Sequence, residues 1–316
     1  MKEILFGNRA LQSLIISEAI TALRRTMAFV PWEWMPRIAA TLAPMFPALV
    51  PARHRLVLDN LRLAFNSSKS PAALSHLTSG IYRHIALWGC EFLKLGYMSR
   101  CELCQRVDLI GREHIHDGLE RGKGVIIASA HVGNWELMGA RIVAEGFPLA
   151  VIAREQRSSR VSKLQNAIRH HAGMEVLLRG PGRNGSLRGA LRALRENKAL
   201  GIMLDQHAVE AAAVPLQFFG HPASVHVSAA LLAVRTGATL VVGFDQRRED
   251  GSHVVTIHPP IEPSRTGNLQ EDLRNTTAII TAKTEEQIRR FPVQWFWTHN
   301  RWKITKRMHR PVRRGT

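Results

Sequence analysis

The chain is expected to fold as an α/β protein, a mostly parallel sheet flanked by helices, with an apolar helical attachment at its N-terminus. Three observations lead there. From about Val107 onward, short apolar runs alternate with helix-length amphipathic stretches, the βαβα rhythm of a parallel sheet covered on both faces. Those runs are nearly continuous in apolar residues, as strands buried on both faces require. Before residue 106 the apolar spacing is helical. At 316 residues and 45% hydrophobic content, the chain can fill one large core.

Residues 1–52 form the apolar entry. Leu11–Leu23 and Met27–Met35 each carry a single Glu, Arg24-Arg25 lies between them, and Trp32 and Trp34 fall in the second run. Ile38–Ala52 is uncharged but interrupted by Pro44, Pro47 and Pro51. A spanning helix needs about 20 apolar residues, so the expectation is a segment lying in a lipid–water interface. Met1–Gly7 carries both charge signs and no cleavage pattern follows, so no secretory leader is expected. Residues 53–316 form the second region. Its part 53–105 reads as helices: His54–Phe65, then Ala72–Tyr97, with Pro71 in a first turn. Its part 106–316 holds candidate strands Gly124–Ala130, Pro148–Ala153, Met174–Leu178, Ala199–Leu204, Thr239–Phe244 and His253–His258. The intervening candidate helices are Trp135–Glu145, Val161–His171, Ser186–Glu196, Val225–Arg235 and Leu269–Arg290.

Net charge is +18, which favours polyanionic partners: nucleic acid, anionic lipid or phosphorylated ligands. No helix-turn-helix, zinc-finger or aromatic RNA-binding signature is present, so nucleic acid is not the expected partner. Arg301–Thr316 holds seven Lys or Arg and no acid, close to Trp295, Trp297 and Trp302. Basic residues beside tryptophans suit an anionic leaflet, at about 1 kcal/mol per charge. Cys101 and Cys104 have metal-like spacing, but no second Cys/His pair completes a site, so no metal is expected and both read as ordinary thiols in a reducing compartment.

The most informative stretch is Gly124-Val-Ile-Ile-Ala-Ser-Ala-His131-Val-Gly-Asn-Trp-Glu136. A buried strand runs into a histidine, a Gly-Asn turn follows, and a carboxylate comes five residues after the histidine. Residues five apart diverge by about 140° on one helix, so His131 must precede the helix. Gly133 permits the turn, Asn134 is a good N-cap, and Glu136 falls in the first turn. Glu136 could then fold back on the imidazole, fix its tautomer and raise its basicity, while the helix N-terminus offers N–H groups to a developing oxyanion. The spacing alone fits equally a Glu that complements the helix dipole and a structural loop histidine. Arg154 follows the candidate strand Pro148–Ala153 and, with parallel strands, would lie at the same sheet edge, to bind a phosphate or carrier group or to sit in solvent. Arg179, Arg183 and Arg188 surround Gly180-Pro-Gly-Arg-Asn-Gly185, a basic, glycine-rich run suited to phosphorylated groups or an ordinary surface loop. It lacks the Gly-Lys-Ser/Thr of a nucleotide loop. Asp205-Gln206 follow another strand end, and Phe218-Phe219 could line an acyl pocket or sit in the core.

Ala130-His-Val-Gly-Asn-Trp-Glu-Leu137 resembles the signature of lysophospholipid-type acyltransferases, closest to the lipid A biosynthesis (lauroyl/myristoyl) acyltransferase branch. Arg55-Leu-Val-Leu-Asp-Asn-Leu-Arg-Leu-Ala-Phe65, Gly201-Ile-Met-Leu-Asp-Gln206, Val214-Pro-Leu-Gln-Phe-Phe-Gly220 and Gln294-Trp-Phe-Trp-Thr-His-Asn-Arg-Trp-Lys303 resemble further blocks of that branch, in order. The resemblance implies a glycerol-3-phosphate-acyltransferase-like fold and transfer of an acyl chain from a thioester, on acyl-carrier protein or coenzyme A, to a hydroxyl of a lipid A precursor. Another glycolipid or lysophospholipid is the alternative acceptor. His131 would be general base and Glu136 its orienting partner, with no resident cofactor and no acyl-enzyme. Arg154, Arg179, Arg183, Asp205 and Gln206 would contact substrate. The implied partners are an anionic membrane and a phosphorylated glycolipid, and the implied place is the cytoplasmic face of the inner membrane. His221-Pro-Ala-Ser-Val-His-Val-Ser228 lacks the Thr-rich sequence usual there, which leaves the acceptor open.

Overall fold

A computed structural model describes residues 18, 21–65, 68–154, 159–179, 184–208 and 213–303. After a helical stretch over 21–29, the described helices are α1 (Met35–Leu42), α2 (Phe46–Leu49), α3 (Pro51–Phe65), α4 (Pro71–Leu95), α5 (Arg100–Arg106), α6 (Arg112–Glu120), α7 (Trp135–Ala144), α8 (Ser159–His171), α9 (Asn184–Arg195), α10 (Ser228–Thr236) and α11 (Leu269–Arg290). The strands are β1 (Val107–Ile110), β2 (Val125–Ser129), β3 (Leu149–Arg154), β4 (Glu175–Arg179), β5 (Ala199–Met203), β6 (Ala213–Phe218), β7 (His221–His226), β8 (Thr239–Arg247) and β9 (His253–Ile257). Seven of them form one sheet in the order β1-β9-β8-β2-β5-β3-β4. The five from β8 to β4 run parallel. β9 is antiparallel to β8, and β1 follows β9.

Central strand β2 shows why a nearly continuous apolar run was needed. All five of its residues are buried, Ile126 and Ala128 in the core on one face and Val125 and Ile127 in the core on the other, as side-chain alternation dictates. α3, α9, α10 and α11 cover the first face; α5, α6, α7 and α8 cover the second. α4 serves both: Ile81, Tyr82 and Ile85 enter one core, Cys90, Phe92 and Leu95 the other.

Three strands lie outside the sequence expectation. β1 is a short edge strand. β6 and β7 form a separate two-stranded hairpin in which Phe218 faces His221. Its two loop residues, Phe219 (φ 54°) and Gly220 (φ 73°), are both left-handed, as the tightest right-twisted hairpin loops demand. Val225 and His226 therefore belong to a strand, and the helix expected from Val225 begins at Ser228.

The tryptophans divide differently from the interface reading. Trp295, Trp297 and Trp302 are essentially buried, and so is Arg301; they form an aromatic cluster with Phe218, Phe219 and Phe65. These residues are core, so the leaflet-facing reading of 301–316 does not hold for Arg301 and Trp302, and 304–316 lie outside the described residues. Trp32 is likewise buried and its indole donates to the Gly251 carbonyl (3.2 Å). Leu23, Phe29, Trp34, Leu42, Met45 and Leu49 are exposed. No described helix is long and apolar enough to cross a membrane.

Candidate active site

The site is assembled by two neighbouring parallel strands. Ser129 at the end of β2 pairs with Met203 at the end of β5. His131 and Asp205 each lie two residues past that pair, so the register itself brings them together. His131 Nδ1 is 2.8 Å from Asp205 Oδ1, and the His131 backbone N–H donates to Asp205 Oδ2 (3.1 Å). The Trp295 indole also donates to Oδ2 (2.7 Å). Burial would raise the pKa of Asp205, but the His131 charge and these hydrogen bonds hold it well below the usual carboxylate range. Burial likewise opposes a charged imidazole, yet the Asp205 charge and hydrogen bond, with a lesser push from Glu136, raise His131 above its ordinary value. An ionised Asp205 accepts from Nδ1–H, which leaves the Nε2 lone pair of neutral His131 for a substrate. The imidazole keeps 19% of its surface exposed, against 3% for the Asp205 side chain.

The orienting carboxylate is therefore Asp205, not Glu136. Glu136 is buried and held by the Arg169 guanidinium through Nε (2.9 Å) and Nη2 (2.6 Å), with the Trp135 indole on Oε1 (3.2 Å). A first-turn carboxylate facing an arginine on α8 forms a forked ion pair, and burial of that arginine is outweighed by Glu136, which raises its pKa further. The pair ties α7 to α8. Its link to the imidazole is indirect: Trp135 meets the His131 ring edge-on at 4.7 Å.

Gly133 has φ 61°, and a Cβ there would collide with the Asp245 backbone oxygen and carboxylate, so the turn admits only glycine. Asn134 caps α7 by accepting from Glu136 N (3.2 Å) and Leu137 N (3.3 Å). The Gly133 N–H donates to Gln294 O (2.9 Å) and that of Val132 to Ala130 O (2.7 Å), while Asn134 N donates to Asp245 Oδ2 (2.5 Å). These amides are already taken, so the expected free donors for an oxyanion are not found among them. The segment after Pro292–Gln294 pins the other side: Val132 bridges Trp295, and Phe296 N donates to His131 O (3.0 Å).

Arg154 ends β3 on the edge shared with His131 and Asp205 and is exposed. Arg179 ends β4 in register with Arg154; its side chain, like all of Arg183, lies outside the described residues. Gln206 follows Asp205 and is half-buried. Phe218 and Phe219 do not line an open pocket; at 1% and 5% exposure they are packed against the buried tryptophans. Sequence reasoning missed Arg169, Trp295 and the orienting role of Asp205. It also missed His299, whose Nε2 accepts from the His207 N–H (3.0 Å) and whose pKa burial lowers to about 4.

A model of the bacterial lipid A biosynthesis acyltransferases matches residues 8–304. The chain belongs to that family. Membership makes it an acyltransferase, and the chemistry available at His131 agrees. It is 24% identical over 226 residues to a phosphatidylinositol mannoside acyltransferase of Mycolicibacterium smegmatis, covering 72% of each chain. It is 28% identical over 153 residues to the protein of that name in Mycobacterium tuberculosis, covering 48% of each, about half its length. The family match over residues 8–304 takes in His131, Asp205 and the aromatic core from Phe65 to Trp302.

Proposed function

We propose that the chain transfers a fatty acyl group from a thioester carrier to a sugar hydroxyl of an anionic glycolipid. The observation that carries this reading is the imidazole at the sheet edge, engaged by Asp205 at Nδ1 and open at Nε2. The acceptor hydroxyl gives its proton to Nε2 as its oxygen attacks the thioester carbonyl. The tetrahedral intermediate then expels the thiolate, which takes the proton back from the imidazolium. An ester and a free thiol result, and His131 returns to its neutral state. Asp205 keeps the tautomer correct and stabilises the transient imidazolium. The thioester is already activated, so positioning and one proton shuttled through His131 suffice and no acyl-enzyme is required.

Two acceptors are supported by different observations. Family membership favours a lipid A precursor; the two mycobacterial relatives, which carry the name of phosphatidylinositol mannoside acyltransferases, favour another phosphorylated glycolipid. The exposed Arg154 at the end of β3 supports a contact with a phosphate in either. A net charge of +18 suits an anionic leaflet and an acidic acyl-carrier protein, with coenzyme A as the other donor. The exposed apolar side chains between Leu23 and Val50 support shallow insertion at the cytoplasmic face of the inner membrane. A glycerol-3-phosphate-acyltransferase-like architecture fits the parallel sheet and its edge histidine.

The test is mass spectrometry of lipids from cells producing the wild-type protein or His131→Ala at equal level. Loss of one acyl group from lipid A in the variant supports the first acceptor, and loss from another glycolipid the second. Identical lipid profiles from two equally abundant, folded proteins overturn the reading.

A further inference from the structure

On the β8 side of the Gly133-Asn134 turn, across β2 from Asp205, lies a second cluster of ionisable groups. Glu91 of α4 receives Arg247 through Nε (2.8 Å) and Nη2 (2.5 Å). His253 of β9 has Nδ1 at 2.8 Å from Asp245 Oδ2 and Nε2 at 3.4 Å from Glu91 Oε1. Arg247 Nη1 donates to His84 Nδ1 (2.6 Å). Glu91, His253, Asp245 and His84 are all at most 3% exposed. The charges balance. Burial disfavours a cationic His253, but Asp245 and Glu91 outweigh it and raise its pKa to about 9, so two carboxylates face Arg247 and an imidazolium. His84 stays neutral: burial, then the Arg247 charge, lower its pKa.

Such a cluster is a poor way to gain stability. Desolvating four ions costs as much as their mutual attraction returns, and apolar residues of similar volume often do as well or better. What it supplies is direction, and its bonds point at one place. Asp245 holds the Asn134 backbone N–H. Glu91 Oε2 accepts from Asn134 Nδ2 (2.8 Å). Gln294 joins the Arg247 backbone by two hydrogen bonds (2.8 and 2.9 Å) and accepts the Gly133 N–H. Both residues of the turn are thus gripped from α4, β8 and the C-terminal segment, two and three residues from His131.

We infer that Glu91, Arg247, His253 and Asp245 form a positioning clamp that sets the aim of the His131 imidazole by fixing the Gly133-Asn134 turn. The inference rests on the reading of His131 as general base. Among the described hydrogen bonds of Asp205, which go to His131 and Trp295, none reaches any of the four residues. Their effect passes through the turn, where small displacements of a reacting group are costly in rate.

Asn134→Ser tests this in the full-length protein. Serine retains an oxygen for the helix cap and removes the amide that reaches Glu91, while Glu91 keeps Arg247 and His253. Three readouts are compared with wild type: the thermal midpoint, the split between kcat and KM for the acyl donor, and the downfield proton resonance of His131 Nδ1–H, identified by its loss in His131→Ala. The clamp predicts a kcat reduced about 10- to 100-fold, an unaltered KM, a shifted or broadened resonance and a nearly unchanged midpoint. Unchanged kcat with an unmoved resonance in the folded variant overturns it. Should Asn134→Ser fail to fold, Glu91→Gln carries the same expectations for kcat, KM and the resonance, and the same refutation, with a lowered midpoint because Arg247 loses its carboxylate. Full activity of His131→Ala would instead sink the general-base reading, and the resonance would still report whether the turn aims the ring.

Discussion

Two histidine–carboxylate pairs of the same length sit on opposite sides of one turn. His131 Nδ1 lies 2.8 Å from Asp205, and His253 Nδ1 lies 2.8 Å from Asp245. Judged by that distance they are the same object. They differ at the other ring nitrogen. His131 keeps 19% of its side-chain surface open, whereas His253 is fully buried with Nε2 directed at Glu91. An imidazole between two carboxylates is a fixed cation; one between a carboxylate and an opening can pick up and release a proton. On the proposed mechanism, what the second nitrogen faces decides whether such an imidazole can act as a base, and a short hydrogen bond to an acid does not suffice.

The comparison can be broken in graded steps. The largest effect is expected at the closed pair. Arg247→Met strips Glu91 of its main cation and should cost about 3–5 kcal/mol of stability, read from the midpoint of denaturant unfolding; a loss under about 1 kcal/mol would mean that the cluster is solvated or rearranges freely. At the open pair, Asp205→Asn removes the orienting charge and should lower kcat by roughly 10²-fold, within the range of general-base catalysis, while the circular dichroism spectrum stays that of wild type. Glu136→Gln leaves Arg169 with a weaker acceptor. It should cost about 1–3 kcal/mol in unfolding free energy and lower kcat by less than Asp205→Asn does; a kcat loss greater than that of Asp205→Asn would return Glu136 to the centre of the mechanism. A separate effect concerns pH. His253 has a folded pKa of about 9 against an ordinary 6.5. Its contribution to stability is complete below about pH 6.5 and is lost as pH rises through 9. Unfolding free energies across that window should fall in the wild type and fall less in His253→Gln.

Much of this architecture was legible in the chain. The largely apolar run Gly124–Ala130 announced a doubly buried strand, and the Gly133-Asn134 pair announced the turn and cap that follow. Those signals are local. The partner of His131 was not legible in the same way, because Asp205 reaches it only through the pairing of β2 with β5, and strand adjacency across 74 residues leaves no mark in either strand. The nearby Glu136 was the obvious candidate from spacing, yet a helix first turn directed it at Arg169, a residue whose helix has no sequence link to it. The tryptophans misled for a related reason: beside basic residues they suit both an interface and a core, and only the packing of Phe65, Phe218 and Phe219 around them decides between the two. The β6–β7 hairpin escaped because its second strand is short and polar at both ends, and its first loop residue is a phenylalanine where glycine or asparagine is usual.

The measurement that bears most directly on the open pair is the pH dependence of kcat/KM for wild type and Asp205→Asn. A base must be neutral to accept the acceptor proton, so activity should rise with pH through the His131 pKa. In the wild type that limb lies above the ordinary imidazole value of 6.5, because Asp205 outweighs burial. In Asp205→Asn burial prevails, and the limb should move to lower pH even as the plateau drops. A limb that stays in place when Asp205 is neutralised, or that moves only in Glu136→Gln, would contradict the assignment of Asp205 as the group that governs His131.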